Sequence, residues 1–203
     1  GGLNASRSRP ARPAPVVAAR EGANEGAVAE GTVGAGTGTV AFGWKGGIGT
    51  SSRRVRQQTD EWTVGVLVQS NYGGRLTIAG VPVWKELTPP GPSAAPAAKP
   101  APGAARVEPR TPNAERQLDA ADGSCMIVVA TDAPLLPHQC KRLAQRATIG
   151  IARTGEVGGH DSGDLFIAFA TGNPGLDPDR LGSEAPREAE VRMLTDPLIT
   201  PLF

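Results

Sequence analysis

The chain has 203 residues, with 21 Lys and Arg against 20 Asp and Glu and a formal net charge of +1. No overall field therefore directs it to nucleic acid or to an anionic membrane. Its 39% hydrophobic content overstates the core, because 30 of those residues are alanine, and 27 Gly with 19 Pro bring it near the composition of disordered chains.

In chain order, residues 1–27 are rich in Arg, Pro, Ala and Gly, show no periodicity, and read as a flexible segment. They hold no apolar h-region, so a cytoplasmic rather than secreted protein is expected. Thr39–Trp44 is β-branched and aromatic enough for a strand, and the glycines of 45–50 suggest a tight connection. Trp62–Gln69 reads as a strand buried on both faces. Asn71-Tyr72-Gly73-Gly74 is a turn signal, and Leu76–Ile78 with Val81–Val83 reads as a short edge strand, because Pro82 cannot donate to a ladder.

Residues 89–122 carry eight prolines and ten alanines in 34 positions, too little apolar bulk for a core, so they read as a linker. Order returns at Ser124. Cys125–Thr131 is a central-strand run, Asp132 offers an N-cap, and Pro134 suits a first helical turn. Leu136, Cys140, Leu143, Ala147 and Ile151 then form one face of an amphipathic helix that Gly155 ends. A glycine-rich turn leads to a strand at Leu165–Ala170, and residues 172–203 show weak order. The sum is an α+β domain of some five strands and one clear helix, interrupted by a loop. No apolar run exceeds six residues, against the ~18 of a membrane span, so no membrane partner is expected.

Several chemistries lack their residues. Gly38 and Gly43 have phosphate-loop spacing, but Trp44 precedes Lys45 and no Ser or Thr follows the lysine. His138, Cys140, His160 and Asp161 match no standard metal spacing, so exposed histidines and no cofactor are expected. Lys45 reads as a solvated strand-end lysine and Cys125 as inert packing.

The Gly123-Ser124 junction is the informative feature. A floppy segment ends in glycine, and a serine opens a fully apolar strand. The Ser124 hydroxyl can attack the Gly123 carbonyl, because glycine has no Cβ to block the approach. Hydrolysis of the resulting ester frees an α-amine with an ordinary pKa of about 7.7–8.0, a general base beside its own hydroxyl near neutral pH.

The segments GTGTVAFGWKGGIGTSSR (36–53), WTVGVLVQSNYG (62–73), GSCMIVVATDAPLLPHQCKRLAQRATIGIARTG (123–155) and SGDLFIAFATGN (162–173) resemble, in order, the DmpA-type β-peptidyl aminopeptidase family, also called the L-aminopeptidase/D-esterase group. The resemblance spans roughly residues 28–88 and 123–203. It implies an αββα sandwich of the N-terminal-nucleophile type, shared with ornithine acetyltransferases. It also implies self-cleavage between Gly123 and Ser124 and hydrolysis of small peptides, amides or esters through a seryl ester, without a cofactor. Residues 28–88 would belong to the α-subunit, 89–123 to a linker ending at the cleavage site, and 124–203 to the β-subunit, with α/β pairs assembling into homo-oligomers. By the same resemblance Ser124 is the nucleophile, Asn71 an oxyanion donor, Ser162 a partner of the nucleophile or its amine, and Asp164 the acid that orients the pair. Some relatives carry Glu where this chain has Asp164.

Two departures set further expectations. The family's earlier strands and pocket tyrosine have no counterpart before Tyr72, the chain's single tyrosine, and the family's C-terminal helix has none after Phe203. The sandwich is thus expected to be incomplete. The alternatives are an inert family fragment acting as an oligomerisation module, or an ornithine-type acetyltransferase, against which the serine argues because that family uses threonine.

Overall fold

Apolar residues fill three of the chain's strands almost continuously and recur on one face of its longer helix, and these four elements build the core. The computed structural model of the chain describes residues 13–57, 59–90, 123–160, 162–173, 193, 194 and 202. In order the elements are α1 (Pro13–Glu21), β1 (Val40–Ala41), β2 (Trp44–Lys45), β3 (Gly47–Gln57), β4 (Asp60–Ser70), β5 (Met126–Thr131), α2 (Pro137–Ala152) and β6 (Leu165–Ala170).

β3 to β6 form one four-stranded sheet in sequence order. β3–β4 and β4–β5 are antiparallel, while β5–β6 is parallel and bridged by α2, since parallel neighbours need a crossover. Cross-strand partners share a face. Val68, Ile127 and Phe166 form one row, and Val66, Val129 and Ala168 the next. On this face Leu143 and Ile151 of α2 pack with Ile127, Val129 and Trp62, all buried, and Cys140 and Ala147 support them. Four of the five residues expected on the helix's apolar stripe therefore meet the sheet. Over β3 and β4 the same face opens into a groove of about 470 Å³, lined by Val55, Val64, Val66 and Val68 against Leu143 and Ala147.

The opposite face is also apolar. Met126, Leu165, Ile167 and Phe169 are 38–49% exposed there, with Leu67, Val128 and Ile167 in a cross-strand row. A sheet apolar on both sides is the pattern of an inner layer.

Several local expectations are corrected. Thr39–Trp44 is not one strand. It folds back as the β1–β2 hairpin, because Phe42 (φ 52°) and Gly43 (φ 79°) both take positive φ, as a tight hairpin turn requires. The glycine-rich 47–50 is not a connection but the start of the eleven-residue β3, which gains its hydrogen bonds by pairing β4 along its whole length. As an edge strand it needs no apolar side chains, and Arg53, Arg54 and Arg56 blunt its free edge; Arg54 and Arg56 both pair with Glu61. The expected edge strand at residues 76–83 is not formed: the segment makes the isolated bridge Ile78–Val81, and Val83 opens a 3-10 turn to Lys85. The longer helix starts at Pro137, not at Asp132, since the Asp132 carboxylate accepts the Thr63 N–H at 2.6 Å and Pro137 takes the N1 position. Within 1–27, Pro13–Glu21 is helical, exposed from Ala14 onward; alanines and a proline at its start favour this locally. Residues 91–122 of the expected linker and most of 174–203 lie outside the described residues.

Candidate active site

Strand register assembles the site. β4 and β5 pair Gln69 with Met126, and the same register two residues on sets Asn71 opposite Ser124. There the Ser124 N–H donates to the Asn71 carbonyl at 2.7 Å. β5 and β6 pair Met126 with Leu165, so Cys125 falls beside Asp164 and Ser124 beside Gly163. The Cys125 N–H donates to Asp164 Oδ1 at 2.8 Å, and the Gly163 N–H donates to Ser124 Oγ at 2.8 Å. Asn71, Gly123, Ser124, Ser162 and Asp164 thus gather at one end of the sheet.

Alternation assigns the faces. Cys125 is fully buried in the helix-side core, so Ser124 falls on the other face, with Met126 and Leu165. The half-buried serine opens toward the uncovered side of the sheet.

Gly123 is held by contact. At φ +150° its backbone lies against Asn71, and a Cβ there would stand 2.1 Å from the Asn71 carbonyl oxygen. The peptide bond between Gly123 and Ser124 is therefore seated on the Asn71 backbone.

The Asn71 side chain is anchored separately: its Oδ1 accepts the Val40 N–H at 3.2 Å. Since a backbone N–H needs an acceptor, this bond leaves the two Nδ2 hydrogens for another partner. Ser162 and Asp164 differ from expectation in detail. Ser162 Oγ is buried without a hydrogen-bond partner among the described residues, and the Asp164 carboxylate bonds the Cys125 N–H rather than Ser124 or Ser162. Three contributors escaped the sequence reading: the Gly163 N–H, the Val40 N–H and the Asn71 carbonyl. All are backbone groups, so residue identity carries no signal for them.

Burial, with the Asp164 and Glu156 carboxylates behind it, pushes the Cys125 thiol up to about 12. Burial also raises the Tyr72 phenol, against a lowering hydrogen bond from Thr154. The thiol of Cys125 is therefore neutral at any working pH and no rival to Ser124. Native chain treated with a maleimide near pH 8 should be modified at half-buried Cys140 before Cys125; labelling of native Cys125 at a free-thiol rate would contradict this. Above pH 9.0, the ordinary value, an unfolded thiol loses its proton while the folded one keeps it. This contribution to stability is complete below 9 and is lost as pH rises toward 12.

His138 and His160 are exposed, Asp161 lies outside the described residues, and among the described residues no three His, Cys, Asp or Glu side chains come together as a metal-binding group. No helix among them is long and apolar enough to cross a membrane.

The profile described as Peptidase family S58 matches residues 1–203. The beta-peptidyl aminopeptidase BapA of Sphingosinicella microcystinivorans is 44% identical over 170 residues, which is 80% of this chain and 39% of that protein. Among solved structures, a Burkholderia sp. beta-aminopeptidase superposes with a TM-score of 0.73 at 41% identity, over 98% of this chain and 49% of that one. The L-aminopeptidase D-Ala-esterase/amidase of Ochrobactrum anthropi, described as a prototype for the serine aminopeptidases and a variant of the Ntn hydrolase fold, does so at 0.71 and 40%, over 98% and 47%. The chain spans about half the length of these structures and less of the curated relative. The expected α+β, N-terminal-nucleophile-type fold agrees with these likenesses.

Proposed function

The chain belongs to peptidase family S58, and from that premise we propose that it is a self-processing N-terminal-serine aminopeptidase acting on small peptides, amides or esters. In the maturation step Ser124 Oγ attacks the Gly123 carbonyl. The C–N bond breaks, the nitrogen takes up the proton, and water hydrolyses the ester to leave Gly123 with a carboxylate and Ser124 with a free α-amine. In turnover that amine accepts the hydroxyl proton as Ser124 attacks a substrate carbonyl, the leaving amine or alcohol departs protonated, and water releases the acyl group. Asn71 Nδ2 donates to the oxyanion of both tetrahedral intermediates.

One observation carries the reading: Ser124 lies between Asn71 on β4's side and the Gly163–Asp164 turn on β6's side, with the Ser162 hydroxyl buried and without a partner among the described residues. An unpaired buried hydroxyl is costly in the uncut chain, where the Ser124 nitrogen carries one hydrogen, already given to Asn71. Cleavage turns that nitrogen into an amine with further hydrogens, and in this reading one of them is given to Ser162 Oγ. Asp164, two residues along, stabilises the ammonium form.

The exposed apolar row of Met126, Leu165, Ile167 and Phe169 favours a second property, association of cleaved α/β pairs into homo-oligomers. It is compatible with catalysis and becomes the main role only if the serine is inert. Amino-acid p-nitroanilides, of α- and β-amino acids, separate the two. Release of p-nitroaniline by the chain and none by Ser124→Ala is expected. Equal release from both would remove Ser124 as the nucleophile, and no release from either would leave assembly alone.

A further inference from the structure

We propose that Lys45 is a positioning residue, whose ammonium sets the orientation of the Asn71 amide through Val40. This rests on the role given above to Asn71. Lys45 Nζ donates to the carbonyls of Gly36 at 2.6 Å and Gly46 at 2.7 Å. Gly36 belongs to the 3-10 turn Gly34–Gly38 and is buried, so the ammonium ties that turn to the entrance of β3.

The same two points are held a second time by Thr39, a buried residue. Its Oγ1 donates to the Gly36 carbonyl at 3.0 Å, and its own carbonyl accepts the Gly46 N–H at 3.0 Å. Val40 follows Thr39 directly and is the cross-strand partner of Lys45. Its N–H is the group that holds Asn71 Oδ1.

The frame meets the site segment at two points, the Phe42 N–H on the Tyr72 carbonyl at 2.8 Å and the Val40 N–H on Asn71 Oδ1, and only the second bears on the Asn71 side chain. Lys45 and Thr39 fix residues 36–46, these fix the Val40 N–H, and that N–H keeps the oxygen end of the Asn71 amide on its own side, with the NH₂ end free for an oxyanion. Lys45 is exposed, as expected of a strand-end lysine, yet its ammonium makes two charge-assisted bonds to backbone carbonyls. Lys45 itself touches no reacting atom.

The test is a double-mutant cycle on the cleavage of the chain at 123/124, followed by mass. Lys45→Met should slow cleavage by about tenfold or more, the loss of roughly one charge-assisted hydrogen bond's worth of alignment. In an Asn71→Ala background the same substitution should add nothing, because Lys45 acts only through that amide. Lys45→Arg, which keeps N–H donors, should recover part of the rate. Thr39→Val, which removes the other side-chain donor to Gly36 while keeping its shape, should show the same dependence on Asn71.

A second readout does not need cleavage. In the Ser124→Ala chain, hydrogen exchange at the Val40 amide should accelerate on Lys45→Met, while the amides within the β4–β5 ladder stay protected. A merely structural lysine would loosen both alike. Cleavage by Lys45→Met at the wild-type rate, losses that multiply in the Asn71→Ala background, or unchanged protection at Val40 would each overturn the role of Lys45. A wild-type chain that never cleaves removes the reaction itself, and that failure is told apart by the wild-type control.

Discussion

Gly123→Ala is expected to remain one uncut chain under conditions in which the wild type separates at 123/124. The added methyl would stand 2.1 Å from the Asn71 carbonyl oxygen, 2.9 Å from its carbon and 3.0 Å from Tyr72 Cα. All three are backbone atoms of the segment that follows β4, so none can rotate away. The φ of +150° compounds the conflict, since L side chains rarely adopt it. Residue 123 must move outward, and the Ser124 N–H, 2.7 Å from the same Asn71 carbonyl, moves with it. Displacement of a reacting carbonyl by about 1 Å costs on the order of 10²-fold in rate. The sheet beyond Met126 is untouched, so the melting transition should survive while cleavage stops. Cleavage of the folded variant at the wild-type rate would show that the Gly123 seat has no part in the reaction.

The second large effect concerns one atom. Asn71→Asp keeps an oxygen for the Val40 N–H, 3.2 Å from Oδ1, and exchanges the NH₂ donor for a carboxylate oxygen. Oxyanion donors contribute most when charge develops, and removal of one costs roughly 10²–10³-fold. Asp should lose at least as much as Ala, because it adds a negative charge where another forms. The opposite order, with Asp close to wild type and Ala impaired, would make Asn71 a structural ligand of Val40 rather than an oxyanion donor. Substrate hydrolysis by already cleaved chain should fall in parallel, chiefly in kcat.

How much of this was legible depended on where apolar side chains lie. β4, β5, β6 and the face of α2 are readable because they build the core, the strands as short continuous apolar runs and the helix as a stripe of period 3.6. β3 was invisible for the converse reason. Its glycines, serines and arginines carry no apolar pattern, and its order comes from backbone pairing with β4. Asp132 misled because a good cap residue found a better partner in the Thr63 N–H across the sheet. At the site, the Gly123-Ser124 junction is legible from its chemistry, while Asn71, Ser162 and Asp164 are legible only through family resemblance. The spacing of Ser162 and Asp164, 38 and 40 positions after Ser124, acquires its physical meaning in the β5–β6 register, which sets Ser124 beside the glycine between them. The backbone donors at Gly163 and Val40 had no signature to read.

The register also relates site and surface. Ser124 lies on the face whose apolar residues remain exposed, away from the helix. Ser124 and the exposed apolar layer therefore share one side of the sheet among the described residues.

The most direct measurement is the intact mass of the purified chain through an incubation near pH 8. Two fragments meeting at Gly123 and Ser124, formed in the wild type and absent in Ser124→Ala, are the predicted result. A single species of 20.8 kDa that persists in the folded wild type, or cleavage that continues unchanged in Ser124→Ala, would contradict the claim that this sheet end is a self-processing serine site.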